Sequence, residues 1–258
     1  MDLNIKNKLF VVTGATSGFG NAITRRLLEE GARVVINGRR QELLNQINKS
    51  YPGKVDIVQG DIMKTETLAA LAELAGNKKP DGIVVNAGGP VTGPFREISL
   101  NDWDNAYELL IKWKVDLLQK FLPIFESQSY GRILFIESIS VKQPIDNLIL
   151  SNSLRLAVVG LSKSLALEYA DKGITVNVLA PGSHNTPAIE RIIRRKSNAQ
   201  NISLDKAREE LAKEIPVKRL GDPDELASIA AWLLSPLSGY VTGQTINLDG
   251  GVNRFSAD

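Results

Sequence analysis

The sequence predicts an α/β fold, a doubly wound, seven-stranded parallel sheet with helices on both faces. Three observations carry that expectation. Short runs rich in Val, Ile and Leu alternate with longer amphipathic stretches, the rhythm of repeated strand-helix-strand units around a sheet buried on both sides. The 258 residues suit one large domain, and no linker-like segment divides them. Hydrophobic residues at 43% and charged residues at 23% are enough to build a core and lie far from the composition of a disordered chain.

In chain order the expected strands are Leu9 to Thr13, Arg33 to Asn37, Val55 to Gln59, Gly82 to Asn86, Arg132 to Glu137, Thr175 to Ala180 and Gln244 to Leu248. The two longest helices are expected near Leu100 to Ser127 and Leu150 to Asp171. The rhythm breaks between Pro187 and Pro216, where a polar, basic helical insertion separates the sixth and seventh strands. A connection of that length reads as a lid or binding element, with a solvated surface helix pair as the other reading. The expectation is one domain over residues 1–258 with a lid-like insertion at about 187–216.

Lys and Arg number 31 against 29 Asp and Glu, so a net charge of +2 gives no general attraction to nucleic acid or to a membrane surface. The absence of cysteine excludes disulfides, thiolate nucleophiles and zinc-thiolate sites, and no metal site is expected. The polar start Met1 to Lys8 lacks the apolar core of a signal peptide, and no apolar run nears the roughly 20 residues that span a bilayer. A cytoplasmic location is the expectation.

Thr13-Gly14-Ala15-Thr16-Ser17-Gly18-Phe19-Gly20 joins the first strand to the first helix. Glycines there let the backbone turn sharply and approach a pyrophosphate, whose charge meets the amides and positive dipole end of the helix. The strand-turn-helix setting points to a Rossmann-type dinucleotide site. The second strand ends at Asn37-Gly38-Arg39-Arg40, which offers no carboxylate for an NAD ribose and two guanidinium groups for the extra phosphate of NADP. NADP is therefore preferred over NAD, the other reading of Arg39 and Arg40 being an exposed basic pair at a helix start. Asp61, after the third strand, suits either a hydrogen bond from the adenine amino group or a helix N-cap.

With these residues in view, the chain resembles the classical short-chain dehydrogenase/reductase family over nearly its whole length. The glycine-rich turn is similar to that family's Thr-Gly-x-x-x-Gly-x-Gly pattern, Asn86-Ala87-Gly88 to its Asn-Ala-Gly element, and Pro181-Gly182 to its Pro-Gly after the sixth strand. Arg219-Leu220-Gly221-Asp222-Pro223-Asp224-Glu225 and Thr242-Gly243-Gln244 through Asp249-Gly250-Gly251 resemble its C-terminal signatures. The resemblance implies cofactor contacts from Gly14, Thr16, Ser17, Gly18, Phe19, Gly20, Arg39, Arg40, Asp61, Ile62, Asn86, Ala87, Gly88, Arg155, Pro181 and Gly182.

It also implies four catalytic positions. The serine that polarises the substrate carbonyl falls at Ser138, seven residues beyond Gly131. The tyrosine expected thirteen residues later is replaced by Ser151, and the lysine four further on, one helical turn away, by Arg155. The relay asparagine falls seven residues after Trp103, at Leu110. An aliphatic hydroxyl is a far weaker acid than a phenol of pKa about 10, so Ser151 can donate a hydrogen bond but hardly a proton. Arg155 keeps a fixed positive charge and could still grip ribose hydroxyls. Losing a positioned general acid costs on the order of 10²- to 10⁴-fold in rate.

A substitute donor would have to come from elsewhere. His184, the sole histidine, follows Pro181-Gly182 in the loop expected to line the site, with a surface loop histidine as the other reading. Lys112 and Lys142 are further candidates, each also readable as a solvated lysine. Glu137 is expected to point away from Ser138 across the strand and is given no catalytic role.

In the insertion, Arg191, Arg194 and Arg195 share a helix face that could meet an anionic substrate or simply be solvated, with Lys196 beside them. Ile189, Ile192 and Ile193 are expected to close the opposite side over the cofactor. The family is usually dimeric or tetrameric through its two long helices. Trp103, Tyr107, Ile111 and Leu118 form an apolar stripe that fits such an interface or an internal core, and a homo-oligomer, a tetramer foremost, is expected. The function expected is an atypical NADP(H)-preferring oxidoreductase acting on a small carbonyl or alcohol. Its alternatives are a catalytically silent NAD(P)-binding protein with a regulatory or scaffolding role, and a lyase or isomerase reusing the pocket.

Overall fold

A computed structural model describes residues 1–255. Among them the strands are β1 (Leu9–Val12), β2 (Arg33–Gly38), β3 (Val55–Gln59), β4 (Gly82–Val85), β5 (Gly131–Ile136), β6 (Ile174–Pro181) and β7 (Thr245–Leu248). They form one sheet in the order β3-β2-β1-β4-β5-β6-β7, every neighbouring pair parallel. The register sets Val11 opposite Val35 on one side and Ile83 on the other. Every residue of β1, β4 and β5 is buried, as expected of strands covered on both faces. The chain steps outward from β1 to β3 and then returns to β4 on the far side of β1. That reversal opens a crevice at the carboxyl ends of β1 and β4.

The helices are α1 (Gly18–Glu29), α2 (Gln41–Ser50), α3 (Thr65–Lys78), α4 (Leu100–Tyr107), α5 (Trp113–Gln128), α6 (Ile149–Tyr169), α7 (Pro187–Gln200), α8 (Leu204–Glu214) and α9 (Pro223–Leu234). On one face of the sheet, Ile23 and Leu27 of α1 pack with Leu226 and Leu233 of α9 over Phe10 and Val12. On the other, Leu71 of α3, Leu117 and Phe121 of α5 and Val158 of α6 cover Val11 and Val85. Each such side chain contributes on the order of 1.5–3 kcal/mol by leaving water. Among the described residues no helix is long and apolar enough to cross a membrane.

Two expectations are corrected here. The long helix expected near Leu100 to Ser127 is interrupted by a π-helical turn at Glu108–Lys112, where the Trp113 indole donates a 2.7 Å hydrogen bond to the Leu109 carbonyl. A π turn holds more residues per turn and rotates the helix face, so the stripe divides: Leu118 enters the core while Tyr107 faces out. In the insertion, α7 and α8 form a helical pair with an apolar cluster of their own. Ile189 and Ile193 bury against Ala207, Ile215 and Leu220, leaving Ile192 49% exposed. The apolar face of α7 is thus spent on α8 rather than turned over a cofactor.

Candidate active site

The crevice beside β1 and β4 is shaped by the glycine-rich turn. Gly14 and Gly18 hold φ of +63° and +53°, a region that favours glycine. A Cβ on Gly20 would stand 2.3 Å from the Gly14 carbonyl, so the turn packs on its own helix with no room for a side chain. Asn86 fastens the turn from behind: its amide donates to the carbonyls of Thr13 and, at the limit of hydrogen-bond distance, Gly14. Thr13 answers through its hydroxyl, which takes the Asn86 backbone N–H at 2.8 Å. The Asn86 side chain therefore shapes the cradle and does not reach out of it.

The residues fit a pyrophosphate. Ser17 caps α1 without a side-chain hydrogen bond, and the first turn of α1 has no acidic residue, so its amides and dipole stay available to an anion. Ala87, Gly88 and Gly89 continue the wall beyond β4, and a Cβ on Gly88 would meet open space. Across the crevice, Gly182 donates its N–H to the Leu248 carbonyl, which fixes the Pro181-Gly182 corner at the end of β6. At the other end, Arg40 reaches back over the turn and bonds the Thr16 hydroxyl at 2.9 Å, while Arg39 is exposed. Asp61 accepts from the Met63 N–H at 3.1 Å in a local turn, beside the buried Ile62.

Ser138 follows β5 with its side chain half-buried, and its oxygen accepts from the Ser140 N–H at 3.2 Å. The hydroxyl hydrogen is left to donate. Ser151 and Arg155, one turn apart on α6, are 8% and 7% exposed. Arg155 does not stand alone. Its Nη1 donates at 2.9 Å to Oε2 of Glu137, whose Oε1 is bonded to the Lys114 ammonium. The side chains of Lys114 and Glu137 are 2% and 0% exposed, so three charges meet in the interior between β5, α5 and α6. Burial pushes the Lys114 ammonium below the ordinary lysine range, against the pull of Glu137, and the Arg155 charge adds to the push.

The expectation that Glu137 stands apart from the site is thereby corrected. Strand β5 ends at Ile136, and the carboxylate turns toward α5 and α6, where it meets Arg155. Lys114 was not singled out from the sequence. Its signal was a charge inside the apolar spacing of Leu110, Leu117, Leu118 and Phe121, a position that demands a buried counter-charge.

A family profile described as enoyl-(acyl carrier protein) reductase matches residues 14–253. Dehydrogenase/reductase SDR family member 4 of Sus scrofa is 33% identical over 254 residues, which is 96% of this chain and 88% of the relative. The chain belongs to the short-chain dehydrogenase/reductase family. L-sorbose reductase from Gluconobacter frateurii, solved with NADPH and L-sorbose, superposes with a TM-score of 0.93 at 28% identity over 99% of this chain and all of that one. A variant of actinorhodin polyketide ketoreductase with NADPH gives 0.90 at 30% identity, covering 96% of this chain and 98% of its own.

Within this short-chain dehydrogenase/reductase, the candidates His184 and Lys112 are set in packing and in an ion pair respectively, while Lys142 is half-buried in the loop after Ser138. His184 is buried with its ring edge-on to Phe19, centroids 5.1 Å apart, its Nδ1 3.1 Å from the Gly182 carbonyl and its other edge against Gly221. Burial pushes its pKa down, with the Gly182 carbonyl and the Glu225 and Asp222 carboxylates opposing. The folded chain thus refuses a proton that the unfolded chain accepts below about pH 6.5, and stability falls as pH drops through that value. Urea midpoints should fall between pH 7.5 and 5.5, and His184→Gln should remove that component; an unchanged slope in the variant would contradict it. Lys112 is exposed and paired with Glu108 at 2.6 Å. Leu110 is fully in the core.

Proposed function

We propose that this chain is an NADP(H)-preferring oxidoreductase acting on a small carbonyl or alcohol, with the family's usual proton-handling pair exchanged for Ser151 and Arg155. The observation that carries the reading is a convergence at one edge of the sheet. The uncapped start of α1 after β1, Arg40 over Thr16 after β2, the free hydrogen of Ser138 after β5 and the Arg155 guanidinium paired with Glu137 all lie on the carboxyl-end side of the strands, the side on which the β1/β4 reversal opens. That NADPH accompanies two structurally similar reductases supports the choice of cofactor.

When bound, the nicotinamide supplies or accepts the hydride. The chain's own residues do the rest. Gly14 to Gly20 and the α1 amides hold the pyrophosphate, while Arg40 pairs with the extra phosphate. Ser138 donates to the substrate oxygen and stabilises charge developing there. Arg155 grips the nicotinamide ribose through the edge that Glu137 leaves free. Ser151 can add a hydrogen bond, but the proton comes from water, which sets the rate below that of an enzyme with a positioned phenol.

Arg191 and Arg194 line an open groove with Asn185, Thr186, Glu190 and Arg208 at the foot of α7; Glu190 pairs with Arg208, and the charges of Arg191 and Arg194 support an anionic substrate under a lid formed by α7 and α8. Arg195 ties α7 to the loop after β4 through a 2.8 Å bond to Thr92. Tyr107, Leu156 and Leu167 are exposed apolar side chains on α4 and α6, a basis for a homo-oligomer that a mass measurement in solution checks.

Arg40→Ala is expected to weaken NADPH about tenfold or more while leaving NADH nearly unchanged, the effect of losing one charge-assisted contact to phosphate. Equal affinity changes for both cofactors, measured by fluorescence titration, would remove Arg40 from cofactor choice. One observation favours a second reading, a silent nucleotide-binding protein: the buried pair presents a hydroxyl and a paired guanidinium but no titratable acid. Screening carbonyl compounds for oxidation of bound NADPH decides. Turnover supports the oxidoreductase, and binding with no turnover on a broad panel supports the silent protein.

A further inference from the structure

We propose that Lys114 and Glu137 are positioning residues, which hold the Arg155 guanidinium with one edge toward the ribose hydroxyls on the nicotinamide side of the cofactor. The inference rests on the reading of the crevice as an NADP(H) site. Arginine is long and has many rotamers, so on a helix face it would present its charge in several directions. Here the direction is set. Nη1 is engaged by Glu137 at 2.9 Å, while Nη2 lies 3.5 Å from the place a Cβ on Gly89 would take, facing the backbone that follows Asn86-Ala87-Gly88.

Glu137 is itself held from both sides. One carboxylate oxygen takes Arg155 and the other takes Lys114, so it cannot swing away from either. The Lys114 ammonium in turn sits 5.9 Å from the Trp113 ring centroid, at the residue whose indole closes the π turn. Two cations on one buried carboxylate are a poor way to stabilise a fold, because desolvation of three charges offsets their attraction and an apolar cluster of the same volume would do as well. Their arrangement does something an apolar cluster cannot: it aims a fixed positive charge along one line into the crevice.

The test compares two ligands on the same protein. NADPH spans the whole crevice, whereas an adenosine bisphosphate fragment equivalent to the NADP adenosine half reaches only the Arg40 end. Glu137→Gln is expected to weaken NADPH tenfold or more, the equivalent of one charge-assisted hydrogen bond, and to leave the fragment within about twofold of wild type. Lys114→Arg, which keeps the cation, should retain most of the NADPH affinity. Should Glu137→Gln not fold, Lys114→Met/Glu137→Gln, which removes one charge of each sign, carries the same expectation. Parallel weakening of both ligands would mark the cluster as structural only, and undiminished NADPH affinity in a folded variant would overturn the positioning role. Wild-type protein that binds neither ligand would overturn the dinucleotide reading and this inference with it.

Discussion

Glu137→Leu is expected to lower the unfolding free energy by about 3–5 kcal/mol, since it leaves Lys114 and Arg155 as neighbouring buried cations without the carboxylate they share. In a chain of this size that corresponds to a drop in Tm of roughly 6–20 °C. The cost arises from stranded charge, not from lost attraction. Lys114→Met/Glu137→Leu/Arg155→Met together should therefore bring stability back to wild type or above it, because no charge remains to desolvate and the volumes are nearly kept. The same triple variant should lose NADPH affinity, which separates what the cluster does for folding from what it does for the ligand. A loss below about 1 kcal/mol for Glu137→Leu alone would mean that water reaches the cluster, against its near-complete burial.

The second large effect concerns the pair on α6. Ser151→Tyr combined with Arg155→Lys is expected to raise NADPH-dependent reduction of a generic ketone by about 10²-fold or more, within the range a positioned general acid supplies. A phenol of pKa about 10, with an ammonium one helical turn away to lower it, can deliver the proton that an aliphatic hydroxyl cannot. Glu137 would remain to pair with the new ammonium, and Ser138 is already in place after β5. Steady-state rates on one ketone, with NADPH affinity measured beside them, decide the matter. A folded double variant that binds NADPH and shows no gain would mean that the space around Ser151, only 8% exposed, has closed to a reacting carbonyl.

Much of the architecture was legible because a parallel sheet buried on both faces writes itself as continuous apolar runs. Val55 to Gln59 matched β3 at both ends, and the other strands differed by a residue or so at one or both ends. Thr13 and Asn86 lie just past the ends of β1 and β4, where the side chain of each bonds the other's backbone and so fastens the turn. The glycine-rich turn was legible for a similar reason: local backbone geometry dictates the residue type. The Lys114–Glu137–Arg155 cluster was not. Its members lie far apart in the chain, and only the packing of α5 and α6 against the end of β5 brings them together. What the sequence did contain was a set of charges on buried faces, each without an evident partner. The π turn at Glu108–Lys112 left no comparable trace, since its residues fit an α-helix equally well. Of the apolar positions Ile189, Ile192 and Ile193, the first and last do form a buried face, but α8 lies close enough to take it and Ile192 stays exposed.

The most direct test of the whole account is an equilibrium titration of the wild-type protein with NADPH and, in parallel, NADH. Saturable binding of NADPH, about tenfold or more tighter than NADH, is the expected result, given an uncapped α1 start for the pyrophosphate and Arg40 for the additional phosphate. Absence of saturable binding by either dinucleotide, in protein shown to be folded, would contradict it.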